Sequence, residues 1–419
     1  MQSRSILRAA ALLAAGIVAS GARAGDIYLT AAALVDTVRG KRIEFPAVLV
    51  SGNRIVAVGT QQGLAPPADA LRIDLGERTL VPGLMDMHVH LSSAAVGTPF
   101  LEEMLQSVPR QTVNTVRNAR VTLLAGFTSV RDLGDSGYAV VAVRDAINAG
   151  EIQGPRIWSA GNALGVTGGH CDNNYYPPEL HYQSTGVANG PWAVREVLRR
   201  NIKYGADAVK FCATGGVFSR GTRVGAIQYT REEMQAIVDE GHHRGLVVAA
   251  HAHGTEGIRA AIEAGVDSVE HASILDDETI ALAKRRGTYL SMDIYNTDYT
   301  QSRGRANGVP EENLRKDAAI AQMQRDSFRA AVKAGVKMVF GSDAAIYPHG
   351  DNARQFSRMV EYGMSEVQAL QAATVSAAAL MRRDDLGAIK VGYVADIIAV
   401  AGDPLRDVKA LESVSFVMK

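Results

Sequence analysis

Cysteine is scarce in this chain and charge of neither sign is in excess. The 419 residues include two cysteines, Cys171 and Cys212, which make no disulfide framework and no CxxC metal motif. Lys plus Arg and Asp plus Glu both number 44, so the formal charge cancels, and no basic run stands out. Nucleic acid and acidic membrane surfaces are therefore poor partners. Aromatic residues are modest at 6%, whereas glycine reaches 41, a balance that suits many tight strand-to-helix junctions. The length is enough for one large domain or two ordinary ones with a sizeable core.

Long hydrophobic runs are lacking too. The N-terminal stretch AALLAAGIVA follows Arg4 and Arg8 and ends in small residues at Ala22-Arg23-Ala24, before Gly25-Asp26. It is well short of the roughly 20 residues that a membrane span needs, and the A-x-A pattern reads as the cleavage site of a secretory signal peptide over residues 1–24. The mature chain is then expected in the periplasm or outside the cell, without a membrane span.

A repeating junction organises the middle of the chain. LLAGFTSVRD (123–132), KYGADAVKFC (203–212), EAGVDSVEHA (263–272) and KAGVKMVFGS (333–342) each end a helical pattern on glycine and enter a short apolar strand. Glycine just past a helix supplies the left-handed cap, and a continuously apolar strand belongs to a sheet covered on both faces. Eight such strands are expected, around Leu84–His90, Thr128–Asp132, Arg156–Ala160, Ala208–Cys212, Val247–His251, Ser268–His271, Thr288–Met292 and Met338–Ser342. Alternation with helices fits an α/β fold, a closed (β/α)8 TIM barrel over 82–382, although counting alone leaves a doubly wound open sheet possible. The ends differ. AVLVSGNRIVAVGT (47–60) and GAIKVGYVADIIAVAGDP (387–404) alternate in strand fashion around glycine turns, and are expected to build a small β-sandwich domain from both termini, 25–81 and 383–419.

Polar residues sit at the carboxyl ends of these strands. His88 and His90 close the first, and their i, i+2 spacing puts both on one face. Lys210 lies in the apolar run ADAVKFCA of the fourth, where a cation is rare unless its charge is compensated. His251 ends the fifth strand, His271 the sixth, and Asp343 follows the eighth. A single histidine at a strand end is more often a hydrogen-bonded rim or core residue than a ligand, and Lys210 alone could point to a wet face. Together, at ends that converge on one mouth in a barrel, they point to metal. Imidazole and carboxylate ligands without thiolates suit zinc, with manganese, iron or cobalt as alternatives. His242 and His243 lie near a helix end, where the dipole favours them as solvated residues.

VPGLMDMHVHL, AVKFCATGG, AHAHG, SVEH and GSDAA, in this order, resemble the metal-dependent amidohydrolase superfamily over nearly the whole mature chain, and LGAIKVGYVADIIAVAGDPL resembles its closing β segment. TGGH (167–170) and QYT (228–230) are similar to the imidazolonepropionase-like metallopeptidase branch, which includes Xaa-Pro and Xaa-Arg/Lys dipeptidases and ochratoxin-hydrolysing amidohydrolases. The resemblance implies two divalent ions, zinc foremost. His88, His90 and Asp343 would hold one and His251 and His271 the other, with Lys210 carrying CO2 as a carbamate that bridges them. Such a lysine must be neutral to capture CO2, and burial lowers its pKa.

The expected activity is hydrolysis of an amide, releasing a C-terminal amino acid from a dipeptide or an N-acyl amino acid, ochratoxin-type amides included. A hydroxide shared by the metals would attack, and Asp343 would pass its proton to the departing amine. His170, Tyr229 and His253 are candidates to hold the substrate or its oxyanion; Arg220 and Arg223 could bind a carboxylate or simply be solvated. The expected partner is a small molecule or short peptide with a free carboxylate, and the peptidase branch implies a homo-oligomer. Hydrolysis of a cyclic amide, lactam or lactone is the alternative within the superfamily, and a non-catalytic binding protein the alternative outside it.

Overall fold

The structure, a computed structural model, describes residues 25–93 and 104–419; the expected signal peptide, residues 1–24, lies outside the described residues. All eight expected strands form, and their apolar character has a plain cause. Every residue of Leu84–Val89, Phe127–Asp132, Val209–Cys212, Val248–Ala252 and Ser268–His271 is buried, as in parallel sheets covered on both faces. The first strand, Leu84–Val89, pairs with the second, Phe127–Asp132, and that with the third, Arg156–Ser159. The fourth to eighth strands are Val209–Cys212, Val248–Ala252, Ser268–His271, Tyr289–Ser291 and Met338–Val339, and they pair in that order. All these pairings are parallel.

Hydrogen bonds join the two sheets at both edges. Beyond the third strand, Leu164 N donates to Lys210 O and Cys212 N to Leu164 O, each at 2.9 Å; at the other edge Met87 N donates to Phe340 O at 2.9 Å and Asp343 N to His88 O at 2.7 Å. Helices separate the strands and are stopped and started by local chemistry. Thr230 opens Arg231–His243 with a capping box, its side chain accepting the Glu233 amide while the Glu233 carboxylate accepts the Thr230 amide. Gly335 ends Glu311–Ala334 at φ 70°, a left-handed conformation that glycine adopts without a Cβ clash. The mixed α/β arrangement of the sequence reading is therefore present.

The ends of the chain make two further sheets. One runs in the order Val414–Met418, Ile397–Ala401, Arg78–Pro82, Ala33–Asp36, Lys41–Glu44, and the other Arg54–Thr60, Pro46–Ser51, Ile27–Thr30, Leu71–Asp74. Leu29, Leu34, Val48, Ile55, Leu80 and Ile397 are buried in one apolar cluster drawn from both. The alternating stretch 387–404 is not strand throughout. Only Ile397–Ala401 pairs in a ladder, because Gly392 at φ 89° turns the chain while donating to Ile55 O at 2.8 Å. Asp396 ties this region to the parallel strands, accepting Arg156 at 2.7 Å and offering its carbonyl to Gly83 N at 2.8 Å. Those contacts lie at the amino ends of the third and first strands, opposite the ends that carry the histidines. Among the described residues no helix is long and apolar enough to cross a membrane.

Between Ser159 and Pro191 the regular structure amounts to one 3-10 turn, Pro178–Leu180. A disulfide fastens this long connection, joining Cys171 to Cys212 across 41 residues. Two cysteines are too few for a framework, yet they make this one bond, which the sequence reading did not anticipate. Closing a loop of that size restricts the unfolded chain by ~4 kcal/mol in the chain-entropy account. The connection also docks by backbone: an ideal Cβ on Gly186 would fall 1.9 Å from Ala163 O. Because a carbonyl in the chain cannot swing aside, Gly186→Ala should destabilise the fold by about 2–3 kcal/mol. Thermal unfolding measures it, and an unchanged midpoint would show that the connection docks differently.

Candidate metal centre

The carboxyl ends of the parallel strands surround a cavity of ≈ 220 Å³. Into it project His88 and His90 from the first strand, Lys210 from the fourth, His251 from the fifth, His271 from the sixth and Asp343 from beyond the eighth. All six ligands expected from the sequence thus meet in one place. Candidate ligand atoms of His88, His271 and Asp343 lie within 4.8 Å of one another, and so do those of His251, His253 and His271. His271 belongs to both groups, which makes the cluster continuous. Its ring centroid is 5.1 Å from that of His88, 4.5 Å from His251 and 4.8 Å from His253.

Hydrogen bonds at the rear of the rings decide which nitrogen faces the cavity. His90 Nδ1 is 3.1 Å from Gly134 O, and a carbonyl can only accept, so Nδ1 carries the hydrogen and Nε2 the lone pair. That Nε2 is 3.3 Å from Asp343 Oδ1, and His88 Nε2 is 3.4 Å from the same oxygen. Two acceptors facing each other at such distance require a positive charge, either a proton on the ring or a bound cation. His271 repeats the pattern, its Nδ1 donating to Asp293 Oδ1 at 2.8 Å, and His253 Nδ1 meets Ser273 Oγ at 2.8 Å. His251 Nε2 is buried without a hydrogen-bond partner, an orphan that costs free energy unless something binds it. Imidazoles fixed from behind, with free nitrogens converging beside a carboxylate, fit divalent ions.

The electrostatics agree. Burial, then the neighbouring imidazoles His170, His271 and His253, keep His251 well below the ordinary histidine range, and burial does the same for His253. Both are neutral, as ligands must be. Burial would raise the Asp343 carboxyl, but His88, His90 and His271 outweigh it and hold it well below the usual carboxylate range. Lys210 is only 4% exposed, and burial lowers its pKa against the opposing pull of Glu270 and Asp343, with Arg131 adding to the lowering. His271 and Asp343 are also held at φ 69° and 54°, a strained backbone of the kind that gathers at functional sites.

The substrate-side candidates divide. His170 lines the cavity with its ring stacked on His251 at a centroid distance of 4.0 Å, and burial lowers its pKa to about 3. His253 lines it as well. Tyr229 does not: it is packed in the apolar core and donates its hydroxyl to Ala188 O at 3.1 Å. The strand-like register after Thr214 turns this side chain away from the cavity, since Thr214 pairs with Ile227 and Gln228 N donates to Ala213 O. Arg220 and Arg223 are exposed, and no described arginine lines the cavity. His242 pairs with Asp267 at 2.8 Å near a helix end, as a surface residue should.

Sequence reasoning missed the groups beneath the centre. Arg131 is wholly buried, donating to Met87 O at 2.7 Å, Ser268 Oγ at 3.0 Å and Glu270 Oε1 at 2.8 Å. Glu270 Oε2 in turn lies 3.2 Å from His88 Nδ1, close enough for a charge contact though off the hydrogen-bond axis. Burial would raise the Glu270 carboxyl, but Arg131 and His88 hold it far below its usual range. Both residues carried the same signal as Lys210, a charge inside an apolar strand.

The sequence profile of the amidohydrolase family matches residues 79–419. The chain belongs to the amidohydrolase family. It is a hydrolase acting on amide bonds. This amidohydrolase is 33% identical over 396 residues to the ochratoxinase of Aspergillus niger, covering 89% of the chain and 81% of the relative. It superposes on a Xaa-Pro dipeptidase with bound methionine in the active site at a TM-score of 0.85, with 36% identity over 94% of this chain and 98% of the other. A prolidase complexed with N-methylphosphonate-L-proline matches at a TM-score of 0.86 and 30% identity, again over 94% and 98%.

The buried pair makes a prediction. Replacing Arg131 by Met leaves the Glu270 charge uncompensated and should cost about 3–5 kcal/mol. Glu270→Gln added to that variant should recover part of the loss. Denaturant unfolding of the metal-free protein reports both, and a double variant as unstable as the single one would show that the charge is not the cause.

Proposed function

We propose that this amidohydrolase binds two divalent metal ions and releases the C-terminal amino acid from dipeptides or N-acyl amino acids, ochratoxin-type amides among them. The observation that carries the reading is the meeting of His88, His90, Lys210, His251, His271 and Asp343 in one cavity. The ochratoxinase, dipeptidase and prolidase relatives support the substrate class. His88, His90 and Asp343 would hold one ion and His251 and His271 the other. Lys210 would join the two sets as a carbamate, its neutral amine adding CO2 with loss of a proton; burial, which lowers its pKa, favours that neutral form. His253 stands close enough to His251 and His271 to serve either as a further ligand or as a substrate contact.

Divalent ions in this place, zinc foremost, supply a Lewis acid that polarises the scissile carbonyl and acidifies water. The chain's own residues do the rest. Asp343, ionised beside three imidazoles, takes the proton of the attacking water and returns it to the departing amine, which leaves poorly unless protonated. Asn296 Nδ2 donates to Asp343 Oδ2 at 3.2 Å and so keeps the other oxygen turned to the histidines. His170, neutral at ordinary pH, offers a hydrogen bond to the tetrahedral oxyanion or the substrate carboxylate rather than a charge.

The same reading extends to the architecture. Two parallel sheets hydrogen-bonded at both edges are taken as a closed (β/α)8 barrel over 82–382. The sheets of the two ends, with their shared apolar cluster, are taken as a small β-sandwich domain, 25–81 and 383–419. Residues 1–24 would export the enzyme to the periplasm or beyond, and the assembly would be a homo-oligomer.

Metal analysis of the purified protein should find about two divalent ions per chain, and a panel of dipeptides and N-acyl amino acids varied at the C-terminal residue should include good substrates. A metal-loaded enzyme inactive on the whole panel would refute the substrate class. Lys210→Ala should lower kcat/KM by about 10²–10³-fold or more, in line with losing one preorganised electrostatic group, and full activity in that variant would remove the carbamate.

A further inference from the structure

The disulfide lies at the cavity wall, and its position relates to His170. Cys171 directly follows that histidine in the chain, and Cys212 is two residues past Lys210 on the fourth strand. In the strand register Cys212 stands opposite His251, the residue on which the His170 ring stacks at 4.0 Å with 25° between the planes. The bond therefore fastens the residue next to His170 to the point in the sheet where His251 emerges. The His170 ring also lies against the chain at Gly216, where an ideal Cβ would come within 2.5 Å of it.

Non-covalent links share the work of holding this segment. The connection from 160 to 190 has one 3-10 turn as its regular structure; backbone bonds tie Leu164 to the fourth strand, and short polar links keep the part around His170 in shape. The Asp172 carboxylate accepts the amides of Gly168 at 2.9 Å and Ser184 at 3.1 Å, His170 N donates to Gln228 Oε1 at 3.0 Å, and His170 Nδ1 meets Ser219 Oγ at 2.9 Å. Two of these links stay within the connection and two reach out to Gln228 and Ser219; the disulfide is its covalent tie to a buried strand. Loops of this kind supply binding residues only as accurately as the scaffold positions them.

We propose that the Cys171–Cys212 disulfide is a positioning element for catalysis, setting His170 against His251 at the cavity wall, so that amide hydrolysis depends on the bond being formed. The inference rests on the reading of this cavity as the hydrolytic site. A phosphine reductant with water opens the bond to two thiols and becomes phosphine oxide, and reoxidation by air restores it with release of water.

The test uses the metal-loaded full chain. Thiol titration of the denatured, unreduced protein should find no free thiol, and two thiols there would overturn the proposal. The variant Cys171→Ser/Cys212→Ser should keep its metal content and circular dichroism while kcat/KM falls about tenfold or more, since misplacement by ~1 Å can cost as much as 10²-fold. His170→Ala should show a similar fall, and the triple variant little more, because two changes acting through one residue do not add. Wild-type activity in the double variant, or a triple variant far below His170→Ala, would overturn it. Should the serine variants not fold, phosphine treatment of the folded wild type replaces them, with metal content measured alongside. Amide hydrogen exchange around residues 165–175 should quicken on reduction and slow on reoxidation, and unchanged exchange counts against the clamp. If the wild type hydrolyses nothing in the substrate panel, the proposed function fails, whereas the thiol and exchange results still decide whether the bond holds the segment.

Discussion

Arg131 and Glu270 face each other at 2.8 Å among the parallel strands with neither exposed to solvent, and the candidate metal centre is built on top of that pair. A lone charge at this depth would cost several kcal/mol. Paired, the two leave one carboxylate oxygen over for His88 and place a cation and an anion beside Lys210, whose protonation they influence in opposite directions. The ligand cluster is therefore supported by compensated charge rather than by apolar packing alone. Each histidine held from behind, by Gly134, Ser273 or Asp293, continues the same rule one layer higher.

The consequence is a cavity whose polar atoms face inward with fixed orientation. Preorganisation of that kind is what hydrolysis of an amide demands, because charge develops on the carbonyl oxygen and must meet donors already in place. The supporting framework shares the work unevenly. Parallel strands supply most of the candidate ligands and hold them through a buried ladder, whereas His170 comes from a long connection held by backbone and polar links and one covalent bond.

Much of this was legible in the chain. Glycine-ended helices leading into short apolar runs mark several of the eight parallel strands, and apolar runs alone mark the others, since helix capping and burial on two faces leave local marks. Five of the expected ligands sit where those strands end and Lys210 inside one, because a polar residue closing or interrupting an apolar run has few reasons to be there. Arg131 and Glu270 bore the same mark and were still overlooked; their roles emerge only from each other, 139 residues apart in the chain. Tyr229 shows the converse. Its position in the loop after the fourth strand suggested a substrate contact, and register turned it into the core, donating to Ala188.

What the sequence by itself determined is the set of local preferences: where strands and helices lie, which charges interrupt apolar runs, and which residue types stand ready to bind metal. Tertiary structure alone decided which nitrogen of each histidine faces the cavity, which carboxylate answers which cation, and that Cys171 reaches Cys212. The physical reason is distance along the chain. Capping, turn chemistry and periodicity act over a few residues, while charge compensation and disulfide pairing act between atoms a few ångströms apart that only the folded topology brings together.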